Sequence, residues 1–245
     1  MNAVKNAMSK TLSHAKLTPH RSATRGHSDH GWLNTYHSFS FADWYDPRFT
    51  HFGSLRVLNE DRVKPGTGFP THPHANFEIF SYILSGELTH RDSMLQKGSE
   101  GGQSDKFYKM NRGDVQFTTG GTGIAHSEFN EHRKDTVHFL QIWAIPWKRG
   151  LPPALSHPQL SRGGQEEGNK FEWIVGANAT DNPKRKVFVH VPMTKGGKAK
   201  VRLDGREEVY SEGDGAFIDN LRAGDKLSVE SVGDADAEVI VLDSE

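Results

Sequence analysis

The feature that most constrains this chain is a rhythm of short apolar runs broken by Gly, Asp and Asn, with no segment patterned for a long amphipathic helix. Residues 54–58, 77–84, 114–117, 137–143, 186–191 and 238–242 are such runs, most of them rich in Val, Ile and aromatic side chains. These side chains suit a pleated, half-buried surface, and runs of this length bounded by turn residues read as strands. Strands recurring at short intervals with turn signals between them imply an all-β sandwich or barrel. At 245 residues the chain accommodates one large β domain or two small ones.

A break near residues 146–170 favours two. Pro146, Pro152 and Pro153 cannot continue a central strand, because proline has no N–H to give to the ladder. The polar, Gly-rich stretch 161–169 follows, as in linkers and long loops. The reading is therefore a flexible tail over 1–16, a first domain over 17–150 and a second over 151–245. Gly-Asp turns recur in both halves (Gly113-Asp114, Gly213-Asp214, Gly224-Asp225), as expected if the halves are diverged copies of one unit. Residues 1–28 carry Lys5, Lys10, Lys16, Arg21 and Arg25 but no acid before Asp29, a pattern shared with organelle-targeting peptides. A basic tail preceding the first strand is the plainer reading.

Composition excludes several functions. Lys and Arg total 30 against 31 Asp and Glu, without a basic block, which argues against nucleic-acid binding driven by phosphate contacts. No run of about 20 apolar residues is present to form a membrane-spanning helix. The absence of cysteine removes disulfides, thiolate metal sites and a Cys nucleophile, and fits a cytoplasmic protein. Histidine is abundant, with 14 residues, and only His157 and His190 lie beyond Phe139. Imidazole chemistry therefore belongs to the first half.

Thr71-His-Pro-His74 is the sharpest motif. On a helix, residues two apart diverge by roughly 200° around the axis. On a strand they share a face about 6.6 Å apart, so both rings can converge on one ion from a barrel wall. His126-Ser-Glu128 repeats the i, i+2 spacing after a Gly-Asp turn and the Gly-rich approach 120–123. An isolated His-x-His is most often two surface or hydrogen-bonded histidines. Two such pairs together point to a four-ligand site of His72, His74, His126 and Glu128, which on an octahedral ion leaves positions open for reactants.

These segments resemble the two cupin motifs: Gly66-x5-His72-x-His74-x3-Glu78 with Gly86, then Gly113-Asp114 through Gly123 to His126. Within the cupins the chain is similar to the pirin family, closest in character to bacterial quercetinase-type pirins. The resemblance is carried by Arg25-Gly-His-Ser-Asp-His-Gly-Trp32, Phe39-Ser-Phe-Ala42, Tyr45-Asp-Pro47, Leu55-Arg-Val-Leu58, His72-Pro-His74, Phe77-Glu78, His90-Arg-Asp-Ser93, Gly113-Asp-Val-Gln116, Gly123-Ile-Ala-His-Ser-Glu128 and Gln141-Ile-Trp143. It is dense over about residues 17–155. Ala75 departs from the basic residue that pirins carry after His-Pro-His, a change at the entrance to the site.

The resemblance implies a bicupin, two tandem antiparallel β-barrels of jelly-roll type, in which only the first binds metal. It implies one divalent ion, Fe(II) by family, with Zn, Cu, Ni, Mn or Co as competitors that the ligands alone do not exclude. Glu128 becomes the carboxylate ligand and the base that takes the 3-hydroxyl proton of a flavonol such as quercetin, with dioxygen as co-substrate. The general cupin motif nominates Glu78 instead, and here Glu78 is given a hydrogen-bonding role behind the ligands. The chain is expected to act as a monomer. The rival reading is a metal-dependent regulator that binds a transcription factor or a metabolic enzyme. His90 reads as structural, in a turn after a strand. Trp32, Phe39, Phe41, Trp44 and Tyr45 read as core or rim packing, and His190 as a satisfied core histidine.

Overall fold

Among the described residues each of the six apolar runs contributes a strand, and the segments between them add thirteen more. The computed structural model describes residues 12–94, 107–156, 170–176 and 185–244. The strands are β1 (Lys16–His20), β2 (Gly26–Asp29), β3 (Leu33–His37), β4 (Leu55–Val63), β5 (Thr67–His74), β6 (Glu78–Ser85), β7 (Leu88–Asp92), β8 (Tyr108–Met110), β9 (Val115–Thr119) and β10 (Ile124–Asn130). They continue with β11 (Val137–Ala144), β12 (Ala154–Ser156), β13 (Lys170–Ile174), β14 (Arg185–His190), β15 (Lys200–Leu203), β16 (Val209–Ser211), β17 (Gly215–Leu221), β18 (Lys226–Ser231) and β19 (Ile240–Ser244). The chain is an all-β bicupin. Among the described residues no helix is long and apolar enough to cross a membrane.

Two compact units share the chain. The first, residues 25–163, pairs a seven-stranded sheet (β12-β9-β6-β11-β4-β3-β2) with a four-stranded one (β5-β10-β7-β8). Leu33, Val63, Ile83, Leu88, Met110, Val137 and Phe139 come from both sheets and form one buried cluster. Burying each such side chain contributes about 1.5–3 kcal/mol relative to leaving it exposed. The second unit has two four-stranded sheets, β1-β17-β14-β19 and β13-β18-β15-β16, closed over Val187, Val189, Leu203, Ile218, Leu227 and Val229. All the strand pairs named here are antiparallel.

Three expectations about boundaries change. Residues 12–16 are not tail: Leu12 and Ala15 are buried in the second unit, and the Leu12 N–H donates to the Asp204 carboxylate. The first domain does not begin at 17, because β1 pairs with β17 from Lys16↔Asp219 to His20↔Gly215. Nor does it end at 150, since β12 pairs with β9. Proline there terminates β11 without ending the unit. Residues 1–11, the linker stretch 161–169 and His157 lie outside the described residues.

The first motif segment has a packing reason. Arg25 is buried with its guanidinium 3.1 Å from the Glu60 carboxylate, which also meets His138 Nε2 at 2.9 Å. Burial holds Arg25 below its ordinary pKa, partly offset by Glu60. Gly26 lies against the Trp44 ring, where an added Cβ would fall 2.3 Å from the indole, so no larger residue fits without displacing it.

Candidate metal centre

The site grows from a local irregularity in β5. Its register against β10 runs Ile124↔His74, Ala125↔Pro73 and His126↔His72, then shifts so that Glu128 faces Phe69. Pro70 and Thr71 thus stand opposite Ser127 alone, a β-bulge that accommodates a proline lacking a ladder donor. The bulge also fixes a ring: His72 Nδ1 lies 2.7 Å from the Pro70 carbonyl oxygen. A carbonyl only accepts, so Nδ1 carries the proton and Nε2 presents its lone pair. At Gly68 an added Cβ would meet the Glu128 backbone oxygen at 2.3 Å, so glycine lets β5 approach β10 at this place.

His72, His74 and His126 come together as the i, i+2 spacing predicts. Their ring centroids are 4.6–4.7 Å apart, and one nitrogen from each lies within 4.8 Å of the others. His126 Nε2 is 3.1 Å from His72 Nε2. Burial lowers His74 to about 4 and His126 to about 4, aided at His74 by the neighbouring rings and opposed at His126 by Glu128. Both rings are therefore neutral at physiological pH with lone pairs available. Three converging imidazoles beside a buried carboxylate form a donor set suited to a divalent cation of the first transition row.

Glu128 stands outside that 4.8 Å group. It is 1% exposed, with the Ser81 hydroxyl donating to Oε1 at 2.6 Å and the Gln141 amide to Oε2 at 2.8 Å. Burial pushes the carboxyl up, but His126, His90, Ser81 and His72 outweigh it and hold it below the ordinary range. Glu78 goes elsewhere. On β6 it has the opposite parity to Ser81, and its carboxylate accepts from the Thr119 hydroxyl at 2.7 Å. The strand alternation thus separates the two carboxylates that the motifs left in competition.

The sequence reading misplaced His90 and passed over Asp92. His90 is no turn residue. It lies inside β7, fully buried, directly across from Glu128, while Asp92 faces His126. His90, Asp92 and His126 also bring ligand-type atoms within 4.8 Å of one another. The signal available was His90-x-Asp92 itself, which has the spacing of the other two pairs. Burial pushes Asp92 up, yet the His90 ring, the Met94 N–H and the His126 ring bring it below its ordinary value.

The aromatic segment divides. Phe39 enters the core at 1% exposure, and Trp32 meets Phe69 edge-on with ring centroids 5.2 Å apart. Phe41, Trp44 and Tyr45 instead line a cavity of ≈ 360 Å³ together with Arg56, Phe77 and Trp143. Trp143 is the shared wall, its ring 4.9 Å from His74 and nearly perpendicular to it.

The sequence matches the Pirin family profile over residues 18–144, more than half of the chain. The chain belongs to the pirin family. Quercetin 2,3-dioxygenase of Escherichia coli K12 is 37% identical to this pirin over 180 residues, 74% of this chain and 65% of that protein. The chain thus matches just under two thirds of that relative's length. Among solved structures, YhhW from Escherichia coli superposes with a TM-score of 0.75 at 28% identity, over 94% of this chain and 98% of that one. A nickel(II) complex of the same bacterial pirin gives a TM-score of 0.70 at 28% identity, over 94% and 99%.

Proposed function

We propose that this pirin is a metal-dependent dioxygenase that opens the ring of a flavonol such as quercetin. The observation that carries the reading is the convergence of His72, His74 and His126 beside an aromatic cavity that shares the Trp143 wall. The name of the E. coli relative and the nickel complex of YhhW support it. His72, His74 and His126 would hold the ion, and Glu128, on the same face of β10 as His126, completes the donor set. Fe(II) is the ion proposed, and Zn, Cu or Ni compete for the same donors.

A divalent ion bound there supplies Lewis acidity, lowering the pKa of a hydroxyl that ligates it. The chain's residues supply the rest. Glu128 is ionised and takes the substrate's hydroxyl proton at a carboxylate oxygen as general base. Ser81 and Gln141 hold that carboxylate until the substrate arrives. Phe41, Phe77 and Trp143 offer flat faces to an aromatic ligand, with Phe41 and Phe77 5.5 and 5.3 Å from Trp143. Trp143 Nε1 is buried with no hydrogen-bond partner among the described residues, a donor available to a ligand oxygen.

The test is anaerobic reconstitution with Fe(II), then oxygen uptake and carbon monoxide release with quercetin, beside His72→Ala. Uptake abolished in the variant supports the reading. One bound ion with no uptake shifts it to the second reading, a metal-dependent regulator of a transcription factor or metabolic enzyme.

A further inference from the structure

A β-bulge adjoins the aromatic cavity. Trp143 pairs with Val57 and Ala144 with Leu55, so Arg56 of β4 stands as an extra residue against β11. Such a residue breaks the alternation of its strand and re-aims a side chain. Here the consecutive residues Arg56 and Val57 both line the cavity, with Phe41, Phe77 and Trp143 among the other walls. Among the described residues of that lining Arg56 carries the one charge, and no carboxylate stands beside it to neutralise it.

Other arginines of this unit are paired: Arg25 meets Glu60 and Arg48 meets Asp46. Arg56 is half-buried and makes no ion pair among the described residues. One N–H of its guanidinium donates to the Ser40 carbonyl oxygen at 2.9 Å. A guanidinium has five N–H donors, so the rest of the fork is left for a ligand. That planar fork matches a carboxylate through two parallel hydrogen bonds. The walls suit flat rings, with Phe41 and Phe77 5.5 and 5.3 Å from Trp143. A volume of ≈ 360 Å³ is near the lower end for small-molecule sites, enough for one occupant of about two or three rings. A ligand lying on Trp143 is beside His74 and shares its cavity with Arg56.

We propose that the cavity selects planar aromatic carboxylic acids, and that Arg56 is the residue that selects them by pairing with the carboxylate. The substrate class is then a hydroxylated aromatic acid whose carboxylate is separate from the hydroxyl offered to the metal centre. A flavonol, which has no carboxylate, would use the aromatic walls without using the charge. The inference rests on the reading above for the place of the reaction, whereas occupancy of the cavity needs no metal.

The experiment is calorimetric titration of the metal-free, full-length chain with naphthoate and with naphthamide, which has the same shape without the charge. The wild type should bind naphthoate about 10–100-fold more tightly, the range for hydrogen bonds to a charged group. Raising the salt concentration should shrink that preference. Arg56→Gln should bring the two ligands to within about 2-fold of each other. Arg56→Lys keeps the charge without the fork and should retain part of the preference. If Arg56 serves only to tie β4 to Ser40, its replacement weakens both ligands alike and leaves their ratio unchanged, which overturns the proposal. Equal affinities in the wild type overturn it as well, and so does failure of either ligand to bind. If Arg56→Gln does not fold, Arg56→Lys and the salt series on the wild type carry the test. Because these titrations involve no metal, absent oxygen uptake by the loaded chain would sink the dioxygenase reading and leave the selection of acids standing.

Discussion

The two units are built alike and filled differently. Each is a pair of antiparallel sheets, but β10 of the first carries His126 and Glu128 at i, i+2, whereas β17 of the second carries Ala216 and Ile218. The first interior buries Ser81, His90, Asp92, Gln116, Glu128 and Gln141, tied by hydrogen bonds that run from Gln141 through Glu128 to Ser81. The second closes over a cluster rich in Val, Leu and Ile, and its buried carboxylates Asp204, Glu212 and Asp214 accept backbone N–H groups. Its buried His190 is flanked by Phe188, the rings stacked at 6.5 Å and 11°. The architecture is therefore indifferent to content. Whether the pair of sheets is a container or a core is decided at the inward positions of a few strands.

The largest expected effect breaks that contrast outright. His126→Ala should lower metal affinity by about 100-fold or more, because it removes one of three converging donors. His190→Ala should leave affinity and the stoichiometry of one ion unchanged, while lowering stability as a buried large-to-small change does. Titration of both variants, with thermal melts, checks the pair. Metal loss from His190→Ala would show that the second unit is not merely a core.

Next in size, Glu128→Gln should keep part of the metal affinity and lower turnover by about 10²–10⁴-fold, the range for a general base. Single-turnover oxygen consumption by the loaded variant reads this. Turnover at the wild-type rate would take Glu128 out of the chemistry and leave it as packing beside Ser81 and Gln141.

The smallest effects are in pH. His74 and His126 titrate at about 4 when folded and near 6.5 when unfolded, so the unfolded chain binds more protons between those values. Stability of the metal-free protein should fall as pH drops from about 6.5 to 4. Asp61 opposes this. Burial first, then the charges of Glu128 and Glu60, raise it to about 7, and its contribution is lost as pH rises from about 3.8 to 7. Asp61→Asn should therefore steepen the climb of melting temperature between pH 4 and 7 and raise the pH 8 value by a few degrees. An unchanged slope would mean that Asp61 is ionised in the fold.

Much of this was legible in the chain. Strand alternation made His-x-His and His-x-Glu meaningful, and the apolar runs named the central strands β4, β6, β11 and β14. What escaped notice has a common cause. β1 (KLTPH) and β7 (LTHRD) are short and polar, because their value depends on which strand they pair with rather than on their own pattern. Asp92 was invisible for the same reason: only the β7–β10 register sets it against His126. The cavity aromatics Phe41, Trp44 and Tyr45 sit between strands, where periodicity says nothing about direction. Glu78 and Glu128 were separable only once the parity of β6 was known.

The pairing of β1 with β17 has a consequence for synthesis. The strand that opens the second unit leaves the ribosome before any of the first, and its partner is made only after residues 25–163 have emerged. During that interval the first unit has its full complement of strands, whereas β1 can only wait. Late sheet closure between distant segments is slow, because the loop entropy is spent before the contacts reward it. The second unit is thus topologically last although it starts first. A fragment beginning at residue 164 would expose the β17 edge that Lys16–His20 normally caps, an invitation to pair with another chain.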